Sequence, residues 1–265
     1  MKKFAVIGFP INHSKSPALH EAGFNELALE ASFEAIEVSP ADLGSWLSVN
    51  MIDYAGVAVT IPHKEKMVDL VQKLSPAAKV IGAVNTLYWE HEVLHGTNTD
   101  CVGVLRALQT EVPNLEDKKV LLLGAGGAAR AALFTLQTAG AKTVVWNRTP
   151  EKAIALAEEF HATAAESLSA LSPDKFDIII NSTSVGLKQW ESLIAADFWT
   201  PHHVAFDMVY DPLETRFLSE AADAGARTVT GDQMLVHQAL EQFHLWHDME
   251  LEPEVMGNAF FLAES

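Results

Sequence analysis

Lys64 and Asp100 are the two side chains of this 265-residue chain best suited to move a proton. An ammonium held beside a carboxylate and partly withdrawn from water can exchange a proton with an alcohol or carbonyl oxygen. Each also has a plainer reading, Lys64 as a solvated first-turn lysine like Lys66, and Asp100 as the N-cap of the helix after it. Both stand behind apolar runs in the company of other polar groups. Asn12-His13-Ser14-Lys15-Ser16 follows FAVIGF, Thr60-Ile61-Pro62-His63-Lys64 follows GVAV, Asn85-Thr86 follows IGAV, and Asn98-Thr99-Asp100 follows VLHG. A sheet whose strands end in such groups gathers hydroxyls, amides, one ammonium and one carboxylate along one edge, where open α/β sheets bind ligands. The inventory suits a small polyhydroxylated molecule.

A second chemistry begins where KKVLLL runs into Gly124-Ala125-Gly126-Gly127-Ala128-Ala129. This is a G-x-G-x-x-A turn between an expected strand and an expected helix, the context a dinucleotide fingerprint requires. Gly124 permits the tight turn, Gly126 lets backbone approach a pyrophosphate, and Ala129 allows close helix packing. The next strand, TVVWN, ends where the ribose is read, and it offers Asn147-Arg148-Thr149 with Lys152 one turn on. NAD sites place a carboxylate there; a guanidinium and a hydroxyl suit a 2′-phosphate instead, so NADP is the expected cofactor. The alternatives are an exposed strand-end charge for Arg148 and an N-cap before Pro150 for Thr149. A polyol site and a nicotinamide site in one chain imply a dehydrogenase.

The elements that would carry these groups alternate. FAVIGF reads as a first strand, with Ser16-Pro17 opening a helix to about residue 29. SFEAIEV is a second strand, with Ser39-Pro40 opening an amphipathic helix to about residue 49, and GVAVT is a third. A helix is expected over 64–74, then AVNTLYW and EVLHG as a strand pair, and a helix over 100–111. Val112-Pro113-Asn114 marks a boundary. A fresh series follows: VLLLG, a helix over 128–137 stopped by Gly140, KTVVWN, a helix from Pro150, FDIIIN, HHVAFDMV and RTVTG. Met234, Leu235, Leu240, Phe243 and Trp246 at helical spacing predict a terminal helix that returns to the first domain. The fold class is α/β, with a mostly parallel sheet in a substrate domain (1–103 with 236–265) and a Rossmann NADP domain (104–235).

A net charge of −17, from 18 basic and 35 acidic residues, argues against nucleic acid or an anionic membrane as partner. Phosphate must then be held locally, by helix N-termini and placed cations. No apolar stretch is long enough to span a bilayer, and Pro10, Asn12 and His13 interrupt the first apolar run before it reaches a signal-peptide core. The single Cys101 excludes an intrachain disulfide and fits a reducing compartment, so a cytoplasmic location is expected. His237, His244 and His247 lack the carboxylate or thiol that would complete a metal set, and no metal is expected.

Taken in order, these segments resemble the shikimate dehydrogenase family. The resemblance rests on Ile7-Gly8-x-Pro10-Ile11-x-His13-Ser14-Lys15-Ser16-Pro17, Val59-Thr60-Ile61-Pro62-His63-Lys64, Gly82-Ala83-Val84-Asn85-Thr86 and Thr97-Asn98-Thr99-Asp100-x-x-Gly103. It continues through Gly124 to Arg130, Asn147-Arg148-Thr149, Asn181-Ser182-Thr183-Ser184-x-Gly186, Asp207-x-x-Tyr210-x-Pro212-x-x-Thr215 and Gly231-x-x-Met234-Leu235-x-x-Gln238. It implies NADPH-dependent reduction of 3-dehydroshikimate to shikimate, a step of chorismate and aromatic amino-acid synthesis, by a monomer or homodimer.

By matching positions, Ser14 and Ser16 would bind the substrate carboxylate with Tyr210 near it. Thr60, Asn85, Asp100 and Gln238 would hold ring hydroxyls with Lys64, and Lys64 and Asp100 would be the catalytic pair. Gly124, Ala125, Gly126, Gly127, Ala128, Asn147, Arg148, Thr149 and Lys152 would bind NADP. Thr183, Ser184 and Met208 would add to that site, with Gly231 and Met234 near the nicotinamide. The chain departs from the family pattern at Ala58, Ser182 and Leu187-Lys188-Gln189-Trp190, none of which is the proton-transfer pair. The rival readings are a quinate/shikimate dehydrogenase of relaxed choice and a noncatalytic sensor. Ser14, Ser16, Thr60 and Arg148 favour shikimate and NADP, and a sensor is expected to lose Lys64 or Asp100.

Overall fold

Runs such as AVIG, VLLL, IIIN and VAF carry no charged residue and become the central strands, as strands covered on both faces require. The computed structural model describes residues 1–12 and 14–263; His13, in the first polar segment, lies outside them. The chain divides into two compact units, Met1–Asp100 with Val236–Ser265, and Cys101–Leu235.

In the first unit the chain forms β1 (Lys2–Gly8), α1 (Ser16–Glu26), β2 (Ala31–Glu37), α2 (Leu43–Asn50), β3 (Gly56–Val59), β4 (Lys73–Leu74), α3 (Pro76–Ile81), β5 (Thr86–Glu90) and β6 (Val93–Thr97), and α4 (Asp100–Gln109) begins at its last residue. The sheet order is β2-β1-β3-β5-β6-β4. β1 runs parallel to β2 and β3, β5 is antiparallel to both β3 and β6, and β4 is parallel to β6. The reversal of β5 decides where the polar residues go. Its N-terminal end lies beside the C-terminal ends of β3 and β6, with Ala58 opposite Thr86 and Thr86 opposite Thr97. Asn85 therefore precedes a strand rather than following one, and it still reaches the edge that holds Thr60 and Thr99.

Several local expectations are corrected. Residues 64–74 are not a helix. The carbonyl of Lys64 accepts from Val84 N–H at 2.8 Å instead of feeding a helical ladder, a 3-10 turn covers Lys66–Asp69, and Lys73–Leu74 pairs with β6. The helix forms later, as α3, where Ser75 Oγ accepts from Ala78 N–H and Gly82, at φ 67°, ends it. Ser39 opens a turn rather than a helix: its Oγ donates to Asp42 Oδ2 at 2.6 Å, and α2 starts after Asp42. Ser16 is the first helical residue of α1 and not its cap; Lys15 holds the cap position without a side-chain cap bond.

The second unit is a six-stranded, wholly parallel sheet in the order β12-β11-β10-β7-β8-β9. In chain order its elements are β7 (Lys119–Leu123), α5 (Gly127–Thr138), β8 (Lys142–Trp146), α6 (Pro150–Glu159), β9 (Thr163–Ala164), β10 (Ile178–Asn181), β11 (Val204–Asp207), α7 (Arg216–Asp223) and β12 (Arg227–Val229). Alternate residues feed two cores, Val120, Leu122, Ile178, Ile180 and Phe206 on one face and Leu121, Leu123, Ile179 and Ala205 on the other. The order reverses between β7 and β10, the switch point at which doubly wound sheets bind nucleotides. The chain ends with α8 (Gly231–His247) and α9 (Pro253–Leu262); from Val236 onward it belongs to the first unit. No helix among the described residues is long and apolar enough to cross a membrane.

Candidate active site

In the first unit, the end of β3, the approach to β5 and the start of α4 converge on one carboxylate. Lys64 Nζ donates to Asp100 Oδ2 at 2.7 Å, with only 15% and 4% of the two side chains exposed. The other carboxylate oxygen, Oδ1, accepts from Asn85 Nδ2 at 2.9 Å. Two different donors thus hold the two oxygens of a buried Asp100, which offsets the cost of keeping a charge out of water. Asn85 Nδ2 also lies 2.9 Å from Thr99 Oγ1 and 3.3 Å from Gln238 Oε1 on α8. Its Oδ1 accepts from Thr99 N–H and from Thr86 Oγ1, both at 2.7 Å. Lys64, Asn85, Asp100 and Gln238 are therefore brought into one polar cluster.

Lys64 is held from behind as well. His63, next to it, is buried with Nε2 2.7 Å from Val38 O, and burial lowers its imidazole below the ordinary value despite that bond. The neutral ring donates to the carbonyl and pins the segment against the end of β2. Thr60 lies at the end of β3, where its N–H donates to Ile7 O at 2.9 Å. Ser14 Oγ accepts from Ser16 N–H at 3.3 Å. The hydroxyls of Thr60 and Ser16 make no hydrogen bond among the described residues, which leaves them available to a ligand.

The second unit builds the dinucleotide features. Gly124 has φ 117°, and a Cβ there would lie 2.5 Å from Ser182 Oγ, so the turn after β7 requires glycine. Gly126 caps α5 with no side-chain cap bond, and a Cβ on it would meet nothing within 4 Å. The first turn of a twelve-residue helix is thus left without a side-chain cap behind an open glycine, an arrangement suited to a pyrophosphate. Ala125, Gly127 and Ala128 line this turn, and Ala129 is fully buried behind it. Arg130, at the end of the motif, is tied to Glu159 on α6 and lies over the Phe160 ring.

At the end of β8, Asn147 Nδ2 donates to Thr149 O at 3.0 Å. Thr149 is the N-cap of α6 by position, yet its hydroxyl makes no cap bond. Arg148 and Lys152 are exposed and form no ion pair among the described residues. This end of the strand carries two cations, and Glu151 in the first turn of α6 pairs with neither among the described residues; Arg148 and Lys152 fit a 2′-phosphate.

A third cluster fixes the loop after β10. Asn181 Nδ2 donates to Val185 O at 3.0 Å and to Asp207 Oδ1 at 2.9 Å, while its Oδ1 accepts from Thr183 N–H and Oγ1. Asp207, fully buried, also accepts from Val209 N–H at 3.0 Å and Thr215 Oγ1 at 2.6 Å. Burial raises its carboxyl to about 6, against the lowering effect of those three donors. The cluster holds Thr183 and Ser184 on one side and Met208 and Tyr210 on the other. Tyr210 is pushed up to about 12 by burial and then by the nearby Asp211. A Cβ on Gly231 would lie 2.5 Å from Val209 O, so α8 starts hard against the segment carrying Met208, with Met234 one turn along. In the departing segment Leu187-Lys188-Gln189-Trp190, Lys188 has φ 58° and Trp190 is 60% exposed.

Sequence reasoning places Thr86, Thr99 and His63 at the polar edge and Asn181 and Asp207 in motifs but gives none of them a supporting role, and it does not single out Gln242. The spacing N-T-x(11)-N-T-D signals two Asn-Thr pairs at strand ends, and that much is visible; the bond from Gln242 Nε2 to Thr86 Oγ1, 2.9 Å across 156 residues of sequence, is not.

The chain matches two family models, "Shikimate dehydrogenase substrate binding domain" over residues 6–87 and "Shikimate / quinate 5-dehydrogenase" over residues 106–189. It is 41% identical over 261 residues to a shikimate dehydrogenase (NADP(+)) of Methanococcoides burtonii, covering 97% of this chain and 96% of that one. It is 38% identical over 250 residues to one of Aquifex aeolicus, covering 94% and 92%. Among solved structures, shikimate 5-dehydrogenase of Thermus thermophilus in complex with NADP(H) and shikimate superposes with a TM-score of 0.91 at 39% identity, covering 99% of this chain and 100% of that one.

Proposed function

Since the chain belongs to the shikimate dehydrogenase family, we propose that Lys64 and Asp100 are its proton-transfer pair. The protein is an NADP-dependent oxidoreductase that interconverts 3-dehydroshikimate and shikimate, a step toward chorismate and the aromatic amino acids. The observation that carries the residue assignment is the 2.7 Å contact between two largely buried, oppositely charged groups.

NADP, when bound, supplies the hydride exchange at the carbon that is ketone in one substrate and alcohol in the other. The chain supplies the proton. In the reducing direction the Lys64 ammonium gives a proton to the oxygen of the ketone as it becomes an alkoxide, and the amine left behind stays hydrogen-bonded to Asp100 Oδ2. In the oxidising direction the same group takes the hydroxyl proton. Asp100, fixed by Asn85, keeps Lys64 in place through both states.

Recognition of the ring falls to Thr60, Asn85, Asp100 and Gln238, and of its carboxylate to Ser14 and Ser16 with Tyr210. Such groups discriminate strongly, because a ligand lacking a hydroxyl leaves a buried donor or acceptor unpaired. For the cofactor, Gly124 to Ala128 take the pyrophosphate, Asn147, Arg148, Thr149 and Lys152 the 2′-phosphate, and Thr183, Ser184, Met208, Gly231 and Met234 the nicotinamide end. The substrate domain corresponds to 1–103 with 236–265 and the NADP domain to 104–235. The enzyme works in the cytoplasm as a monomer or homodimer on small molecules alone; its acidic charge disfavours nucleic acid and membrane partners.

The test compares shikimate with quinate and NADP with NAD, followed by appearance of reduced nicotinamide. The assignment predicts the highest kcat/KM with shikimate and NADP, and an equal or better value with quinate and NAD counts against the residue roles given to Ser14, Ser16 and Arg148.

A further inference from the structure

We propose that His20 and Gln242 are positioning residues, which direct the Thr86 hydroxyl onto the Asn85 amide oxygen and through that amide hold Asp100 in the pose that Lys64 uses. This inference rests on the assignment of Lys64 and Asp100 as the proton-transfer pair.

The direction of each hydrogen bond follows from two backbone groups that have only one possible role. Thr99 N–H can only donate, so the atom it meets at 2.7 Å is the Asn85 amide oxygen. The Asn85 backbone carbonyl can only accept, so the atom 3.2 Å from it is the Gln242 amide nitrogen. That nitrogen also donates to Thr86 Oγ1 at 2.9 Å, and Thr86, having accepted, donates its own proton to Asn85 Oδ1 at 2.7 Å. With its oxygen committed twice, Asn85 turns its NH2 to Asp100 Oδ1 at 2.9 Å, which leaves Oδ2 to Lys64.

The other end of the relay is His20. Because Gln242 points its nitrogen at Thr86, its oxygen faces His20 Nε2 at 3.3 Å, so Nε2 carries the imidazole proton. His20 Nδ1 is buried with no hydrogen-bond partner, as expected of the unprotonated nitrogen. The ring is fully buried, stacked on Phe33 at 4.4 Å with the planes 2° apart, among Phe24, Phe243 and Trp246. Burial lowers its pKa to about 3, with Gln242 opposing and His247 adding to the shift, so the donor is a neutral imidazole at physiological pH. A rigid apolar seat and a single available donor give Gln242 one orientation. Without it, the Thr86 hydroxyl can turn its proton from Asn85 Oδ1 to Thr99 Oγ1, 3.4 Å away, and Asn85 Oδ1 keeps Thr99 N–H as its one strong donor, so the amide is held less firmly against Asp100.

The experiment is the single-turnover rate of nicotinamide reduction by shikimate in Gln242→Met, His20→Phe and the double variant, with Lys64→Ala alongside. Methionine keeps the volume of Gln242 without its hydrogen bonds, and phenylalanine keeps the stack on Phe33. Each single variant is expected to lose about tenfold in rate, the worth of one buried hydrogen bond, with KM for NADP unchanged. The double variant is expected to lose no more than Gln242→Met, because both act through one amide. Folded single variants with the wild-type rate, or losses that multiply in the double variant, overturn the inference. If Gln242→Met does not fold, His20→Phe decides by the same criterion. A wild-type rate in Lys64→Ala overturns the assignment of the pair and this inference with it, whereas loss in Lys64→Ala with none in Gln242→Met or His20→Phe overturns the inference alone.

Discussion

Asn85 Nδ2 meets Asp100 Oδ1 at 2.9 Å, on the opposite side of the carboxylate from the Lys64 ammonium. One neutral donor and one charged donor therefore share the group, and only the charged one can give up a proton. Asn85→Ala removes the neutral donor and leaves Thr86 and Thr99 facing a cavity. It is expected to lower kcat/KM for shikimate by about 10- to 100-fold, the range for a hydrogen bond to a charged group. Steady-state rates and a melting curve on the same preparation check this; a loss confined to melting temperature argues that Asn85 is structural only.

Arg148, exposed at the end of β8, forms no ion pair among the described residues. Arg148→Ala is expected to raise KM for NADP by about 10- to 100-fold, the strength of a charge-assisted contact with phosphate, while KM for NAD moves less than about twofold. Equal effects on both cofactors contradict the assignment of Arg148 to the 2′-phosphate.

Gly124→Ala places a methyl group 2.5 Å from Ser182 Oγ at a backbone φ of 117°. Ser182 cannot move aside cheaply, because its hydroxyl donates to Leu123 O at 2.6 Å. The substitution is expected to cost about 3 kcal/mol from backbone strain and overpacking together. Denaturant unfolding measures this, and a variant as stable as the wild type contradicts the geometry of the turn.

Asp207 makes stability fall as pH rises. Its carboxyl titrates at about 6 in the folded protein against the ordinary 3.8, so between these values the folded state binds more protons than the unfolded state. The favourable contribution is complete below the lower value and is lost as pH climbs through the upper one. Relative to Asp207→Asn, the wild type is expected to lose about 2 kcal/mol between about pH 4 and pH 7. Unfolding free energies of both proteins across that interval check the sign; a difference that grows in favour of the wild type contradicts it.

The strands of the second unit are legible because parallel strands covered on both faces read as unbroken apolar runs, and Gly124 and Gly140 mark real turns with positive φ. Residues 64–74 mislead for a physical reason. Their composition suits a helix, but the Lys64 carbonyl is taken by Val84 N–H, a contact that local pattern does not encode. Pattern alone puts Asn85 behind a strand when it stands before one, and it joins the polar edge only because β5 runs antiparallel to its neighbours. Lys64 and Asp100 stand out by charge and position, whereas the His20–Gln242 bond joins residues 222 apart and leaves no trace in spacing.

The most direct test of the central claim pairs turnover with binding in Lys64→Ala. Shikimate affinity is measured by calorimetry, and NADP reduction is followed at the reduced-nicotinamide absorbance. If Lys64 carries the proton, the variant binds shikimate with affinity reduced by no more than about tenfold, as for one lost hydrogen bond, while kcat falls by about 100-fold or more, the usual worth of a positioned acid–base group. A variant that turns over at the wild-type rate once saturated contradicts the claim and leaves Lys64 as a binding residue only.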